Sequence, residues 1–218
     1  YAILGQEYFL DHVHPTIEGN KFLAVALVKA MAGQGLVQPG SGWGEETIPA
    51  VAAKIEGNID QEAHGRALAN LARVLLWAGK SDDAVRLARQ AMEVAGDYQQ
   101  VAINASTTLA TIYISQGKAK RALDLLYSSL EKSPRAVELR LKLGQILLDR
   151  RSRKLEEAAA NLLLVTQLMP YYDWGHALFG IAMAERGRPE IAYPSLMQAL
   201  RLNPNNSSAR QKLAQINP

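Results

Sequence analysis

Four alanines, Ala84, Ala122, Ala158 and Ala192, stand 38, 36 and 34 residues apart, and each holds the same place in a similar stretch of chain. Around the last of them the pattern runs Leu178, Phe179, Gly180, Met183, Gly187, Ala192, Leu196, Ala199 and Pro204. Small residues fall where two helices must approach closely, and the proline falls where the second helix must stop. One period earlier the same template gives Leu143, Gly144, Leu147, Ala158, Leu162, Val165 and Pro170, with two extra residues in the basic turn Arg150 to Arg153. Before that come Leu109, Ala110, Tyr113, Gly117, Ala122, Leu126, Ser129 and Pro134. The first copy reads Leu71, Ala72, Leu75, Gly79, Ala84, Ala88 and Ala91, with Gly96 in place of the closing proline and four residues added near Asp97 to Gln100. An ordinary antiparallel bundle has the 3.6-residue apolar period but no second, longer one. The chain is therefore predicted to stack a helix–turn–helix unit four times.

These phased positions resemble the tetratricopeptide repeat, a 34-residue helix–turn–helix with a large–small pair in its first helix and an alanine opening the second. The resemblance covers roughly residues 61 to 217 and implies an all-α solenoid of about four repeats that binds a protein or peptide in a concave groove. In that family the groove is lined by the second, fifth, ninth, twelfth and thirteenth positions of each first helix. Here those positions are Arg66, Ala69, Arg73, Leu76 and Trp77, then Asn104, Thr107, Thr111, Ile114 and Ser115. The third repeat supplies Glu138, Leu141, Gln145, Leu148 and Asp149, and the fourth Trp174, Ala177, Ile181, Ala184 and Glu185. Arg66, Arg73, Trp77, Asn104, Thr111, Gln145, Trp174 and Ile181 are the candidate ligand contacts. Family members that hold acidic tails use a clamp of Lys and Asn, for which only Arg66, Arg73 and Asn104 are remotely suited. Trp77 and Trp174 read equally well as aromatic anchors for a ligand or as packing between repeats.

Composition excludes several classes. The 218 residues are 48% hydrophobic and 6% aromatic, enough to bury a helical core. No apolar run approaches the 18 residues of a transmembrane helix, and no basic segment followed by an apolar one marks a signal peptide. Cysteine is absent, which removes disulfides and cysteine-rich zinc sites. A net charge of +3 is too diffuse for a nucleic-acid tract. The only charge run, Arg150, Arg151, Arg153 and Lys154, sits in the lengthened turn and reads as a solvated turn. His64 and His176, each near the start of a first helix, read as packing residues. No cofactor motif or metal-ligand set is present.

The segment ahead of the repeats carries a different signal. Asp11-His12-Val13-His14-Pro15-Thr16-Ile17-Glu18-Gly19-Asn20 leads into an apolar-periodic helix through Phe22, Leu23, Ala26, Leu27, Ala30 and Met31, ended by Gly33 and Gly35. Asp11, His14, Pro15 and Gly19 resemble the C-terminal Asp-x-x-His block of SGNH/GDSL-type serine hydrolases. That resemblance implies His14 as general base and Asp11 as the carboxylate that orients it. The family's nucleophilic serine lies upstream of this block, and none of the first ten residues is a serine. A triad therefore needs residues outside this chain, and the chain reads as the C-terminal part of a larger protein. Asp11 and His14 also read as caps of the following helix.

Residues 1–33 are thus expected to be a hydrolase-like remnant, residues 34–60 a Gly/Pro-rich linker with an N-terminal capping helix from about Glu45, and residues 61–218 the repeat domain. Asp60 is the expected cap of its first helix. Asn205-Asn206-Ser207-Ser208 is expected to start a last helix whose Leu213 and Ile216 cover the array. Three functions follow: a protein- or peptide-binding scaffold, part of a serine ester hydrolase, or a module for self-assembly.

Overall fold

In the computed structural model, residues 5, 7–10, 13–44, 46–96, 98–149 and 154–216 are described. Asp11, His12, Glu45 and Arg150 to Arg153 lie outside them. The described residues form eleven helices: α1 (Ile17–Gly33), α2 (Thr47–Glu56), α3 (Gln61–Trp77), α4 (Ser81–Ala95), α5 (Gln99–Ser115), α6 (Ala119–Lys132), α7 (Val137–Leu147), α8 (Leu155–Leu168), α9 (Asp173–Glu185), α10 (Pro189–Leu202) and α11 (Ser207–Ile216). The one β-type feature among them is an isolated antiparallel bridge between Phe9 and Pro15.

The helices from α3 onward form four antiparallel pairs and a closing helix. Local chemistry sets their ends. Asp60 accepts a hydrogen bond from the Ala63 amide at 2.9 Å and starts α3 as expected. Gly79, Gly117 and Gly187 turn the chain between the helices of the first, second and fourth pairs with φ of 77°, 71° and 73°. That left-handed backbone carries little penalty only for glycine. The Asn206 side chain accepts from the Ala209 amide and opens α11.

The alanine ladder sits where the pairs close. Ala84, Ala122, Ala158 and Ala192 are all fully buried. The first helices of the pairs carry Ala72, Ala110, Gly144 and Gly180, the small members of the large–small pairs. At Gly144 an added Cβ would lie 2.6 Å from Leu162 Cγ, and at Gly180 2.6 Å from Leu196 Cγ, so the leucine of the second helix occupies the space that glycine leaves.

The core is a chain of three clusters, each spanning neighbouring pairs. The first joins α3, α4 and α5, the second α5 to α8, and the third α8 to α11. Ala209 is buried in the third, and Leu213 and Ile216 pack against it, so α11 closes the array. Polar links tie adjacent helices where apolar contact ends. Ser129 donates to Ser106 at 2.9 Å, Arg140 to Asn161 at 2.8 Å, and Ser195 to the His176 carbonyl at 3.0 Å.

Curvature follows from which helices touch. α3 packs on α5, α5 on α7, α7 on α9 and α9 on α11, whereas α4, α6, α8 and α10 make no comparable contact with each other. The first helices of the pairs therefore line the inner side of the curve.

Candidate functional site

The inner wall is built from α3, α5, α7 and α9, and the candidate ligand contacts fall on it in three groups. At the α3 end, Arg66 is exposed and pairs with Glu62 at 3.4 Å, while Arg73 donates to Asn70 at 3.3 Å. Trp77, the last residue of α3, is 95% exposed. In the middle, Asn104 accepts from Gln100 at 3.1 Å, and Gln100 also reaches Glu138 on α7 at 3.5 Å. Thr111 is tied to its own helix through the Thr107 carbonyl at 2.8 Å. Thr111 and Gln145 line one cavity of about 630 Å³. At the α9 end, Trp174 and Ile181 pack against the third core cluster. The two tryptophans, equivalent in the sequence, thus differ in surroundings: Trp174 is half-buried beside the third core cluster and Trp77 meets solvent.

His176 follows the packing reading, with Nε2 2.9 Å from the Pro170 carbonyl. Electrostatics also mark the far end. Asp173 Oδ2 accepts from both Asn203 and Asn206 at 2.9 Å. Burial alone would push the Asp173 carboxyl up, but these amides and backbone donors outweigh it and hold it below the usual carboxylate range.

The segment before the repeats is a small hairpin followed by α1. The Leu10 amide donates to the His14 carbonyl at 2.7 Å and the Thr16 amide to the Tyr8 carbonyl at 2.8 Å. Thr16 caps α1 by accepting from the Gly19 amide at 2.9 Å, and its hydroxyl donates to the Glu7 carbonyl at 2.9 Å. The cap expected from Asp11 or His14 is therefore Thr16, whose short hydroxyl sits at the residue preceding the helix. Gly19 is required by close approach, since a Cβ there would fall 2.1 Å from the Tyr8 carbonyl oxygen. His14 is exposed at the hairpin. Asp11, its expected partner, lies outside the described residues.

Two features of this segment were not legible in the sequence. Leu10 packs against the first core cluster, and Arg86 on α4 donates to the Leu10 carbonyl at 2.9 Å, 76 residues away. The residues packed on that cluster include Leu10 but none from α2. The apolar side of α2 instead faces α1 across a cavity of about 490 Å³ lined by Val25, Val28, Ile48, Val51 and Ile55. The other side of α1 shows Phe22, Leu23 and Leu27 to solvent. Among the described residues no helix is long and apolar enough to cross a membrane.

Comparison with known proteins agrees with this geometry. The tetratricopeptide repeat family matches residues 63–135. No curated protein sequence matches the chain. Among solved structures, pilF of Pseudomonas aeruginosa is similar with a TM-score of 0.64 at 22% identity, over 72% of this chain and 69% of its own. A thermophilic TPR protein of Thermus thermophilus gives 0.58 at 22% identity, over 70% and 83%. The second TPR domain of human RPAP3, solved in complex with an HSP70 peptide, gives 0.51 at 20% identity, over 55% of this chain and 98% of its own. With its four stacked pairs, small-residue crossings and closing helix, the chain carries a tetratricopeptide-repeat solenoid.

Proposed function

We propose that the array is a scaffold that binds a protein or peptide along the inner wall of α3, α5, α7 and α9, with Arg66, Arg73, Trp77, Asn104, Thr111, Gln145, Trp174 and Ile181 as its contacting positions. The observation that carries the reading is Trp77, a large aromatic left 95% exposed at a groove position. Burying such a ring on a ligand is among the larger contributions a single side chain makes to binding. The peptide complex of the RPAP3 domain supports the reading by analogy of fold. Affinity capture of partners by the chain and by Trp77→Ala tests it. Capture is expected to fall with Trp77→Ala while the helical circular dichroism and melting curve stay the same, and equal capture by both removes Trp77 from the groove.

A second reading concerns residues 1–33 as the end of an SGNH/GDSL-type ester hydrolase, with Asp11 and His14 as triad members and the serine elsewhere. The exposed Phe22, Leu23 and Leu27 on α1 favour it, because a helix apolar on both sides is normally covered on both. On this reading residues 34–60 join the two units. Fluorophosphonate labelling of the longest natural form, beside its His14→Ala version, is the test. One labelled serine whose reactivity is lost with His14 makes the repeats an appendage of a hydrolase, and no labelling of folded protein removes the hydrolase. The third reading, self-assembly, requires a mass in sedimentation that rises with concentration.

A further inference from the structure

Leu10 is fixed in three ways at once. Its side chain packs against the first core cluster, its carbonyl accepts from Arg86 Nη2 at 2.9 Å, and its amide donates to the His14 carbonyl at 2.7 Å. Two hydrogen bonds in series therefore run from α4, in the first repeat, to the backbone of His14. The bridge between Phe9 and Pro15 and the Thr16 amide on the Tyr8 carbonyl close the hairpin around them. Arg86 is itself aimed, because Asp83, three residues earlier on α4, accepts from the same Nη2 at 3.3 Å. The intervening chain does not impose this seat: α1 and α2 supply no apolar residue to the first cluster, and neither packs extensively on a repeat helix.

Stability alone does not account for the arginine. Its Nε and Nη1, and Oε1 of Gln90 one turn further along α4, are buried without a hydrogen-bond partner among the described residues. A buried donor left unpaired carries a desolvation penalty that an apolar side chain of similar length avoids. Methionine at this position would cover the same surface without that penalty. Beyond its local pair with Asp83, what the guanidinium supplies and methionine lacks is a charge-assisted bond that reaches across to Leu10. Asp11 and His12 follow Leu10 directly and lie outside the described residues; the carbonyl and side chain of Leu10 make the seat without them.

We infer that the first repeat is the seat of the His14 hairpin and that Arg86 is a positioning residue for His14, so that the array fixes where this residue stands instead of only trailing from residues 34–60. The inference rests on the hydrolase reading for the use of His14 as a general base, but the seat itself does not. A general base works only within hydrogen-bond reach of the hydroxyl it deprotonates, and a misplacement of about 1 Å costs on the order of a hundredfold in rate. Anchoring the His14 backbone to a packed helical pair meets that tolerance. Arg86 acts only through Leu10, and it stands on α4, a second helix of a pair, away from the groove positions.

Two measurements test this. In the 218-residue chain, amide exchange relative to intrinsic rates is compared among the wild type, Arg86→Met and Arg86→Lys. Arg86→Met is expected to lower protection of the Leu10 and Thr16 amides about tenfold, as for one lost hydrogen bond to a charged group, while the melting temperature of the array stays the same or rises. Arg86→Lys is expected to recover part of the protection. In the longest natural form the second measurement is the rate of fluorophosphonate labelling against pH. In that reaction the serine oxygen bonds phosphorus, fluoride leaves and His14 takes the hydroxyl proton. Arg86→Met is expected to lower the plateau about tenfold, with partial rescue by Arg86→Lys, while the acid limb set by His14 keeps its midpoint. Unprotected amides in the wild type, or equal protection in Arg86→Met, overturn the seat. An unchanged labelling plateau, or a plateau that falls only together with the melting temperature, overturns the positioning role. No labelling of the wild type removes the hydrolase reading and with it the use of His14, while exchange decides the seat by itself.

Discussion

Gly144→Ala should destabilise the protein, although glycine is among the worst residues for a helix interior. In an exposed helix this change gains about 0.8–1.0 kcal/mol. At Gly144 the new methyl would sit 2.6, 2.7 and 3.1 Å from Cγ, Cδ2 and Cδ1 of Leu162. Leu162 is fully buried in a close-packed interior, so the overpacking cost is about 1–3 kcal/mol. The net effect is a loss of about 1 kcal/mol, or roughly 2–4 °C in melting temperature for a chain of this length. The first pair points to a partner change that relieves it, whereas the second combines Ala110 with a leucine, Leu126. Where the first helix has Ala72, the residue aligned with Leu162 is Ala88, and both are fully buried. Leu162→Ala alone should cost about 2–5 kcal/mol through the cavity it leaves. In that background Gly144→Ala should recover about 1 kcal/mol, giving a coupling of about 2 kcal/mol in a double-mutant cycle read by guanidinium melts. A Gly144→Ala protein as stable as the wild type or more so, or a coupling near zero, refutes the size complementarity of glycine and leucine at the crossing.

Ala122→Leu, at a fully buried ladder position, should cost about 1–3 kcal/mol in the same melts, and an unchanged midpoint means that the repeat register is misplaced. Because the folded Asp173 carboxyl is held below its ordinary value, its support for α11 is complete above the unfolded carboxyl pKa of about 4 and is lost as pH falls through the folded value. Protection of the Ala209 amide, taken relative to its intrinsic exchange rate, should therefore fall on acidification in the wild type and depend less on pH in Asp173→Asn. The Tyr127 phenol is pushed up to about 12 by burial and by the adjacent Glu157. In a spectrophotometric titration the step lost in Tyr127→Phe should be the last of the tyrosines, and Glu157→Gln should bring it down.

The array was legible because its determinants are local or repeat. Ala84, Ala122, Ala158 and Ala192 mark the period, since only a small residue lets two helices close at that point. Asp60 and Asn206 announce helix starts within three residues of the amides they bind. Asp11 and His14 carried a motif, but their spacing did not predict that Thr16 would cap α1. Trp77 and Trp174 looked alike in the sequence because their surroundings are made by other helices. The third core cluster packs against one, and the other is left exposed among the described residues.

What the sequence determined by itself is the repeating unit, its length and the faces that must be buried, because those follow from helical geometry within about forty residues. The tertiary structure decided what depends on groups far apart in the chain. Arg86 holds the Leu10 carbonyl across 76 residues, and α1 keeps an apolar side that the described array does not cover. Lys142 has no hydrogen-bond or ion-pair partner among the described residues, although Asp124 and Asp149 line the same cavity beside Thr111 and Gln145. A lysine in a sequence carries no sign of whether it will be paired, since that depends on which carboxylates the packing of other helices brings within reach.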